Sequence, residues 1–220
     1  MTTSLASPHF SPTVDARVLF DRLRTTAALQ GVVGAVEALD PSTDGHSRRV
    51  AALAVAIARQ TGHFTRAERA ALHEAALLHD VGKVVVPAAI LTKPSRLTAA
   101  EFERVKLHAP IGGLLVASVL TAEQAHWVRH HHERWDGAGY PDGIPTSALH
   151  PAAGVLCLAD SFDAMTTRAH SRELSIDDAL AECIRHARRQ FAPEATTALV
   201  RLAERGALPV DEDGDMEAPV

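Results

Sequence analysis

Cysteine and aromatic residues are scarce in this 220-residue sequence, and each scarcity excludes a class of protein. The two cysteines, Cys157 and Cys183, offer neither a disulfide framework nor the spacing of a thiolate metal site. Aromatic residues make up 4% of the chain, and the strand-like runs are short. This composition predicts an all-α fold, and the helical spacing of the apolar residues indicates a helical bundle.

The sequence also lacks an excess of positive charge and long apolar runs. The formal net charge is -5, so the chain lacks the positive surface that binds duplex DNA or RNA. Its apolar stretches are shorter than the roughly 20 residues that cross a membrane. Residues 1–12 lack the basic start and apolar core of a signal peptide. We therefore expect a cytoplasmic protein with neither a nucleic-acid duplex nor a membrane as partner.

The chain divides into a central domain and two tails. Residues 1–13 are rich in Ser, Thr and Pro and are predicted to be a disordered tail. Residues 14–206 are predicted to form one helical domain, in which residues 14–39 are a leading helix. The acidic residues 207–220 are expected to form a flexible tail.

Helix signals recur throughout the predicted domain. Capping boxes at Thr65 and Thr98 predict helices that run to His79 and to about residue 108, and another helix is expected from Thr121 to His132. The other predicted helices are 46–60, one starting at 110, 152–167, 177–190 and 194–204. Residues 84–87 are expected to be an extended connector, and residues 136–143 a long loop.

The residue type in excess is histidine, with 13 in the chain. The segment HDVGK at 79–83 ends an apolar helical run, and its adjacent His79 and Asp80 can each bind a metal. Asp80 has two oxygens and can reach two cations, while Gly82 permits a turn that lets Lys83 return toward an anionic phosphate. The simpler interpretation is a buried histidine, a helix-ending aspartate and a surface lysine.

Other residues of metal-ligand type lie at predicted helix ends or on inward faces. The candidate ligands are His46, His79, Asp80, His108, His131, His132 and Asp160. Imidazoles combined with two carboxylates suit a pair of divalent cations such as Fe or Mn. Because the histidines at 130–132 are consecutive, their spacing alone leaves open which two of them face inward.

Five ordered motifs resemble the HD-GYP family, a branch of the HD superfamily of metal-dependent phosphohydrolases. They are D-x-x-T-x-x-H-S-x-x-V at 40–50, LLHDVGK at 77–83, K-x-H at 106–108, HHERWDGAGYP at 131–141 (variable positions 135 and 138) and ADSFDAM at 159–165. The resemblance covers residues 40–191. It implies an all-helical bundle of the HD-domain type and hydrolysis of a cyclic dinucleotide, cyclic di-GMP above all.

The resemblance also assigns roles. It implies that all the candidate ligands named above bind two metals, that Asp80 bridges them and that His130 lies outside the set. Asp80 and Lys83 would be catalytic, with Lys83 neutralising charge on the phosphate. Gly139, Tyr140 and Pro141 would lie at the mouth of the site, where Tyr140 would contact the nucleotide; alternatively, this segment is only a turn.

The sequence departs from the family pattern at two places. Some members have Glu where this chain has Ser42, one helical turn before the first histidine, and that Glu binds a third ion. Relatives usually show Arg-Pro-Tyr-Arg or Arg-Pro-Tyr-Lys where residues 169–172 read AHSR. The first arginine of the pattern is therefore replaced by Ala169, and the nearest arginine, Arg168, lies one residue earlier. Arg168 and Arg172 remain as candidate phosphate-binding residues.

Two alternatives stay open from the sequence. One is a non-catalytic module that binds a cyclic dinucleotide or a protein, and the other is an HD phosphohydrolase for another nucleotide. Besides the cyclic dinucleotide, the expected partner is a separate regulatory protein or, in a homodimer, a second copy of the chain.

Overall fold

The computed structural model describes residues 45–167 and 174–209, and the single positions 31, 34, 35 and 38. Regular secondary structure in the described residues is helical, which confirms the predicted all-α class. The α-helices are α1 (His46–Thr61), α2 (Arg66–Leu77), α3 (Ala88–Leu91), α4 (Ala99–Lys106), α5 (His108–Val116), α6 (Ala122–Arg129), α7 (Pro151–Thr167), α8 (Ile176–Arg185) and α9 (Pro193–Glu204). Short 3-10 helices span Val81–Val85 and Thr146–Ala148.

The predicted disordered tail, most of the leading helix and the acidic end from 210 onward lie outside the described residues.

Helix starts follow local sequence signals. Capping boxes at Thr65, Thr98 and Thr121 open α2, α4 and α6, each threonine accepting from a backbone N–H while the residue three positions later bonds back. Helix α1 lies between Gly45 and Gly62. The φ angles of these two glycines, 68° and 77°, are left-handed. The predicted positions of these helices are therefore confirmed to within a few residues.

The core forms around α1, which contacts α2, α7 and α9. Its fully buried Val50 and Ile57 belong to one apolar cluster with Leu156 and Leu158 of α7 and Leu199 of α9. This packing brings the start of α1 beside the middle of α7. Within the described ranges, no helix is both long enough and apolar enough to cross a membrane.

Helix α8 ends at Arg185 instead of residue 190, and two helices that precede candidate ligands also end earlier than predicted. Helix α2 stops at Leu77 instead of His79, and α6 stops at Arg129 instead of His132. In both places a tight turn follows. The backbone N–H of His79 donates to the carbonyl of Ala76, and that of Glu133 donates to the carbonyl of His130, each three residues earlier. The ligand-type residues therefore lie on turns, where neighbouring side chains can reach the same point.

The expected extended connector at 84–87 is wrong for its first two residues. Val84 and Val85 belong to the 3-10 helix Val81–Val85, and the chain becomes extended only at Val86. This helix packs against α5 at Gly82, where a Cβ atom would lie 2.0 Å from the carbonyl oxygen of His108. The sequence predicts a turn that depends on glycine at this position, but the φ angle of Gly82 is not left-handed. Gly82 is instead needed because the two backbone segments lie so close together.

Candidate metal centre

The candidate metal ligands come together from five segments of the chain. They are His46 at the start of α1, His79 and Asp80 after α2, His108 at the start of α5, His131 and His132 after α6, and Asp160 on α7. Three overlapping groups of them have ligand atoms within 4.8 Å of one another. Each of these side chains is buried except that of His132, which is partly exposed.

Four of the histidines have one ring nitrogen fixed by an oxygen acceptor. The Nδ1 contacts are His46 to Asp163 Oδ2 (2.6 Å), His79 to the Ala76 carbonyl (2.7 Å), His108 to the Val105 carbonyl (2.6 Å) and His131 to the Val128 carbonyl (2.6 Å). A carbonyl or carboxylate oxygen only accepts, so Nδ1 carries the hydrogen in each ring. Each Nε2 is therefore the atom presented to the centre.

The Nε2 atoms of these four histidines lie close together, but they do not satisfy one another's hydrogen-bonding capacity. Those of His46 and His79 are buried with no hydrogen-bond partner. The Nε2 atom of His108 lies 3.3 Å from that of His131 and 3.1 Å from that of His132. With Nδ1 protonated in both rings, His108 and His131 direct their Nε2 lone pairs at each other across 3.3 Å, and a cation between them removes that conflict.

The two carboxylates span the whole cluster. Asp80 Oδ2 lies 3.4 Å from His79 Nε2, while its Oδ1 lies 3.4 Å from His108 Nε2. Asp160 Oδ1 is 3.2 Å from His46 Nε2, and its Oδ2 is 3.9 Å from His132 Nδ1. Each carboxylate thus directs its two oxygens toward different histidines. The donor set fits divalent cations of the borderline type, because it combines imidazole nitrogens with carboxylate oxygens.

The electrostatics favour ligand-competent charge states. Burial alone would raise the pKa values of Asp80 and Asp160, but the surrounding cationic and imidazole groups hold both well below the usual range. Loss of solvent contact and the neighbouring histidines together lower the pKa of His131 and bring that of His132 to about 3. The carboxylates are therefore charged and these imidazoles neutral, the forms that bind metals.

His46 differs from the other histidines. Burial lowers its pKa, but the nearby carboxylates of Asp160 and Asp163 outweigh that effect and raise it to about 9. In the protein alone, the two carboxylates thus favour a proton on this ring. A metal ion at Nε2 would supply the same positive charge.

Lys83 lies inside the centre. Its Nζ atom donates to Asp80 Oδ2 at 2.6 Å, and the side chain is buried. Lys83 also lines a cavity of about 320 Å³ that extends from Asp80, His108, His132 and Asp160 to the surface. A phosphate in this cavity would reach the lysine and the cluster together.

Asp163 was not assigned a role from the sequence. Its Oδ1 accepts from Arg49 Nε at 2.7 Å, and its Oδ2 accepts from Arg49 Nη2 at 3.2 Å and from His46 Nδ1 at 2.6 Å. Asp163 lies three residues after Asp160 on α7, so both carboxylates project from one helix face toward His46. The i, i+3 spacing of the two aspartates is the sequence signal that could have identified Asp163.

The Asp163→Asn variant is expected to bind divalent metal about ten- to a hundredfold more weakly, because His46 loses the charged acceptor that orients its ring. Titration of the purified protein with Mn²⁺ measures this affinity. The matched control is Asp177→Asn, the same change at an exposed position of α8. Equal affinities in Asp163→Asn and the control would contradict the orienting role.

His130 lies apart from the ligands, in agreement with the family resemblance. Its Nδ1 contacts the His126 carbonyl at 2.8 Å, and its Nε2 contacts Asp142 at 2.9 Å. Asp142 belongs to the loop that carries residues 139–141. The His130 side chain therefore contacts that loop.

Acidic residues in the loop and just before it hold the loop in place. Arg134 donates to both carboxylate oxygens of Asp136, at 2.9 and 2.7 Å. The buried Glu133 accepts the backbone N–H groups of Asp142 and Gly143, at 2.7 and 3.0 Å. These bonds hold the loop against the end of α6.

The three predicted substrate-contacting residues of the loop have different surroundings. Tyr140 lines the cavity and packs on His132, with 4.7 Å between ring centroids. Gly139 lies against backbone, since a Cβ there would be 2.4 Å from the Arg134 nitrogen. Pro141 follows Tyr140 through a cis peptide bond. Arg168, Arg172 and Ser42 lie outside the described residues.

Comparison with known proteins identifies the family. The HD-domain family profile matches residues 35–195, about three-quarters of the chain. The chain belongs to the HD-domain family. This match, together with the similarity to proteins named as cyclic di-GMP phosphodiesterases, confirms the HD-GYP recognition made from the sequence.

Curated relatives of this HD domain are named as cyclic-dinucleotide phosphodiesterases. It is 33% identical over 186 residues to the cyclic di-GMP phosphodiesterase response regulator RpfG of Xanthomonas campestris, covering 81% of this chain and 48% of that one. It is 37% identical to the 3'3'-cGAMP-specific phosphodiesterase 3 of Vibrio cholerae over 166 residues, covering 74% and 36%. The chain spans less than half the length of these relatives.

Two solved structures share the fold of the HD domain. An HDG"Y"P protein from Bdellovibrio bacteriovorus superposes with a TM-score of 0.65 at 18% identity, covering 86% of this chain and 68% of that one. A cyclic GMP-AMP specific phosphodiesterase of Vibrio cholerae gives a TM-score of 0.62 at 18% identity, covering 82% and 49%. The predicted HD-type helical bundle is therefore confirmed.

Proposed function

We propose that this HD domain hydrolyses a phosphodiester bond of a cyclic dinucleotide, cyclic di-GMP foremost, with the aid of two divalent cations, Fe or Mn. The observation that carries the proposal is the convergence of Nε2 atoms from fixed imidazoles on two charged carboxylates. The cavity beside them offers Lys83 to an anionic ligand. Relatives named as cyclic di-GMP and cGAMP phosphodiesterases support this substrate class.

Each residue has a proposed part in the reaction. The predicted ligands would hold the cations, with Asp80 shared between them, and divalent cations bound there would supply Lewis acidity toward the phosphate and activate water. Lys83 would neutralise charge that develops on the non-bridging phosphate oxygens. Tyr140 would contact the nucleotide from the cavity wall, and Gly139 and Pro141 would set its position.

The proposal is tested with purified protein loaded with Fe²⁺ or Mn²⁺ and assayed against a panel of cyclic dinucleotides. We expect hydrolysis of cyclic di-GMP that is lost on chelation and restored by adding metal. Hydrolysis of 3'3'-cGAMP alone would favour the second candidate substrate, to which the cGAMP-specific relative points. Binding of a cyclic dinucleotide without turnover in any metal form would favour the non-catalytic module.

The centre is expected to hold two metal ions and not three. Ser42 stands where some family members supply a carboxylate for the third ion, and a neutral hydroxyl is a poor substitute. Elemental analysis after loading with excess Mn²⁺ and desalting should give two equivalents per chain. Ser42→Glu should raise this number to three, whereas three tight equivalents in the wild type would contradict the prediction.

Weak substrate affinity is expected from the altered segment at 169–172. A missing charge-assisted phosphate contact costs about 1.5–3 kcal/mol, or roughly ten- to a hundredfold in affinity. Ala169→Arg should therefore lower the Michaelis constant for cyclic di-GMP by about that factor. Arg168→Ala and Arg172→Ala should raise it if these arginines bind phosphate. Submicromolar binding by the wild type that none of these changes affects would refute this interpretation.

We further propose a cytoplasmic location and a regulatory partner for this domain. The substrate class is a bacterial second messenger, which would reach this domain inside the cell. A separate regulatory protein or a homodimer would control access to it. Gel filtration with and without cyclic di-GMP tests the homodimer.

A further inference from the structure

An exposed aromatic side chain lines the cavity at a distance from the metal ligands. Phe102 on α4 is 46% exposed, and α4 has no buried residue. Among the exposed large apolar side chains of the described residues, Phe102 alone is aromatic and alone lines this cavity. Core packing therefore does not account for a phenyl ring at this position.

The neighbours of Phe102 hold its ring without covering it. The ring meets that of Tyr140 edge to face, with centroids 6.2 Å apart and planes at 82°. Lys106, one helical turn along α4, lies with Nζ 5.6 Å from the Phe102 centroid and 5.7 Å from the Tyr140 centroid. Its Nζ also bonds Glu103 at 2.7 Å. These contacts fix the orientation of the two rings.

We propose that Phe102 is the surface on which a nucleobase of the bound dinucleotide stacks, an inference that rests on the proposed function. The same cavity is lined by Phe102 and by Asp80, Lys83 and Asp160, so one nucleotide can contact the ring and the metal centre together. Its volume of about 320 Å³ lies at the lower end of small-molecule sites, enough for one half of the dinucleotide.

Stacking also determines the type of selectivity. Every base has a π-face, and stacking on an aromatic ring tolerates changes of base, whereas hydrogen bonds to the base edge do not. The Phe102 surface therefore accepts guanine and adenine alike. It would contribute affinity for cyclic di-GMP and 3'3'-cGAMP to a similar degree.

The test compares Phe102→Ala with Phe102→Tyr and with Leu114→Ala. Leu114 is 62% exposed on α5 and does not line the cavity, so its truncation controls for loss of exposed apolar surface. Alanine favours the helical conformation more than phenylalanine does, and α4 is preserved in the first variant. Phe102→Tyr keeps an aromatic ring.

Phe102→Ala is expected to raise the Michaelis constants for cyclic di-GMP and 3'3'-cGAMP about tenfold each, with kcat changed less than twofold. Phe102→Tyr and Leu114→Ala should match the wild type. Calorimetric titration with cyclic di-GMP should show the same tenfold loss of affinity without relying on turnover.

The outcomes separate this inference from the proposed function. Turnover in the wild type with no change in affinity for Phe102→Ala would overturn the stacking role alone. Binding without turnover that Phe102→Ala weakens would overturn the enzymatic function and support stacking. If the wild type neither binds nor hydrolyses any cyclic dinucleotide, both proposals are wrong.

Discussion

Asp80→Asn is expected to lower the turnover of a cyclic dinucleotide by more than about a hundredfold, as removal of a key charged group from an active centre does. The two oxygens of Asp80 contact different histidines, with Oδ2 at 3.4 Å from His79 and Oδ1 at 3.4 Å from His108. The amide has the same shape but no charge, and one of its two ends cannot bind a cation. The shared ligand between the two metals would be lost.

Two measurements check this prediction. Steady-state turnover of cyclic di-GMP measures the loss, and metal content after desalting shows whether fewer than two equivalents are retained. Asp177→Asn, the same change on the exposed side of α8, and His126→Ala, which removes an exposed histidine, should leave both quantities near the wild-type values. Comparable losses in all three variants would mean that activity follows general stability, and the site assignment would fall.

The largest effect on stability is expected from Gly82→Ala, with a loss of about 3 kcal/mol or more in the free energy of unfolding. The new Cβ would lie 2.0 Å from the His108 carbonyl oxygen and 2.6 Å from the Gly112 nitrogen. Both are backbone atoms of α5, so a side-chain rotation cannot relieve the collision. The 3-10 helix and α5 would have to separate, which also displaces Asp80 from His108.

Urea denaturation of the metal-free protein measures this effect without involving catalysis. Gly34→Ala is the matched control, since Gly34 is exposed and helical, and a Cβ added there would meet nothing within 4 Å. It should leave the unfolding free energy unchanged or raise it by up to about 1 kcal/mol. An unfolding midpoint for Gly82→Ala equal to that of the control would show that α5 can move away freely.

The sequence by itself determined the helical class, most of the helix starts and the set of candidate ligands. Capping boxes such as Thr65 with Glu68 depend on hydrogen bonds over three residues, so the local sequence is sufficient to predict them. The ligand set came from motifs, in which residue type and order are visible without coordinates. The same motifs placed His130 outside the set, and its contact with Asp142 agrees with that assignment.

Only the tertiary structure decided how those residues act together. The acceptor that orients His46 is Asp163, which lies 117 residues away and reaches it because α1 packs on α7. The need for glycine at position 82 comes from α5, and the exposed ring of Phe102 meets Tyr140 from another segment. Such contacts depend on how distant helices pack, and no local pattern of hydrogen bonds or hydrophobic spacing encodes that packing.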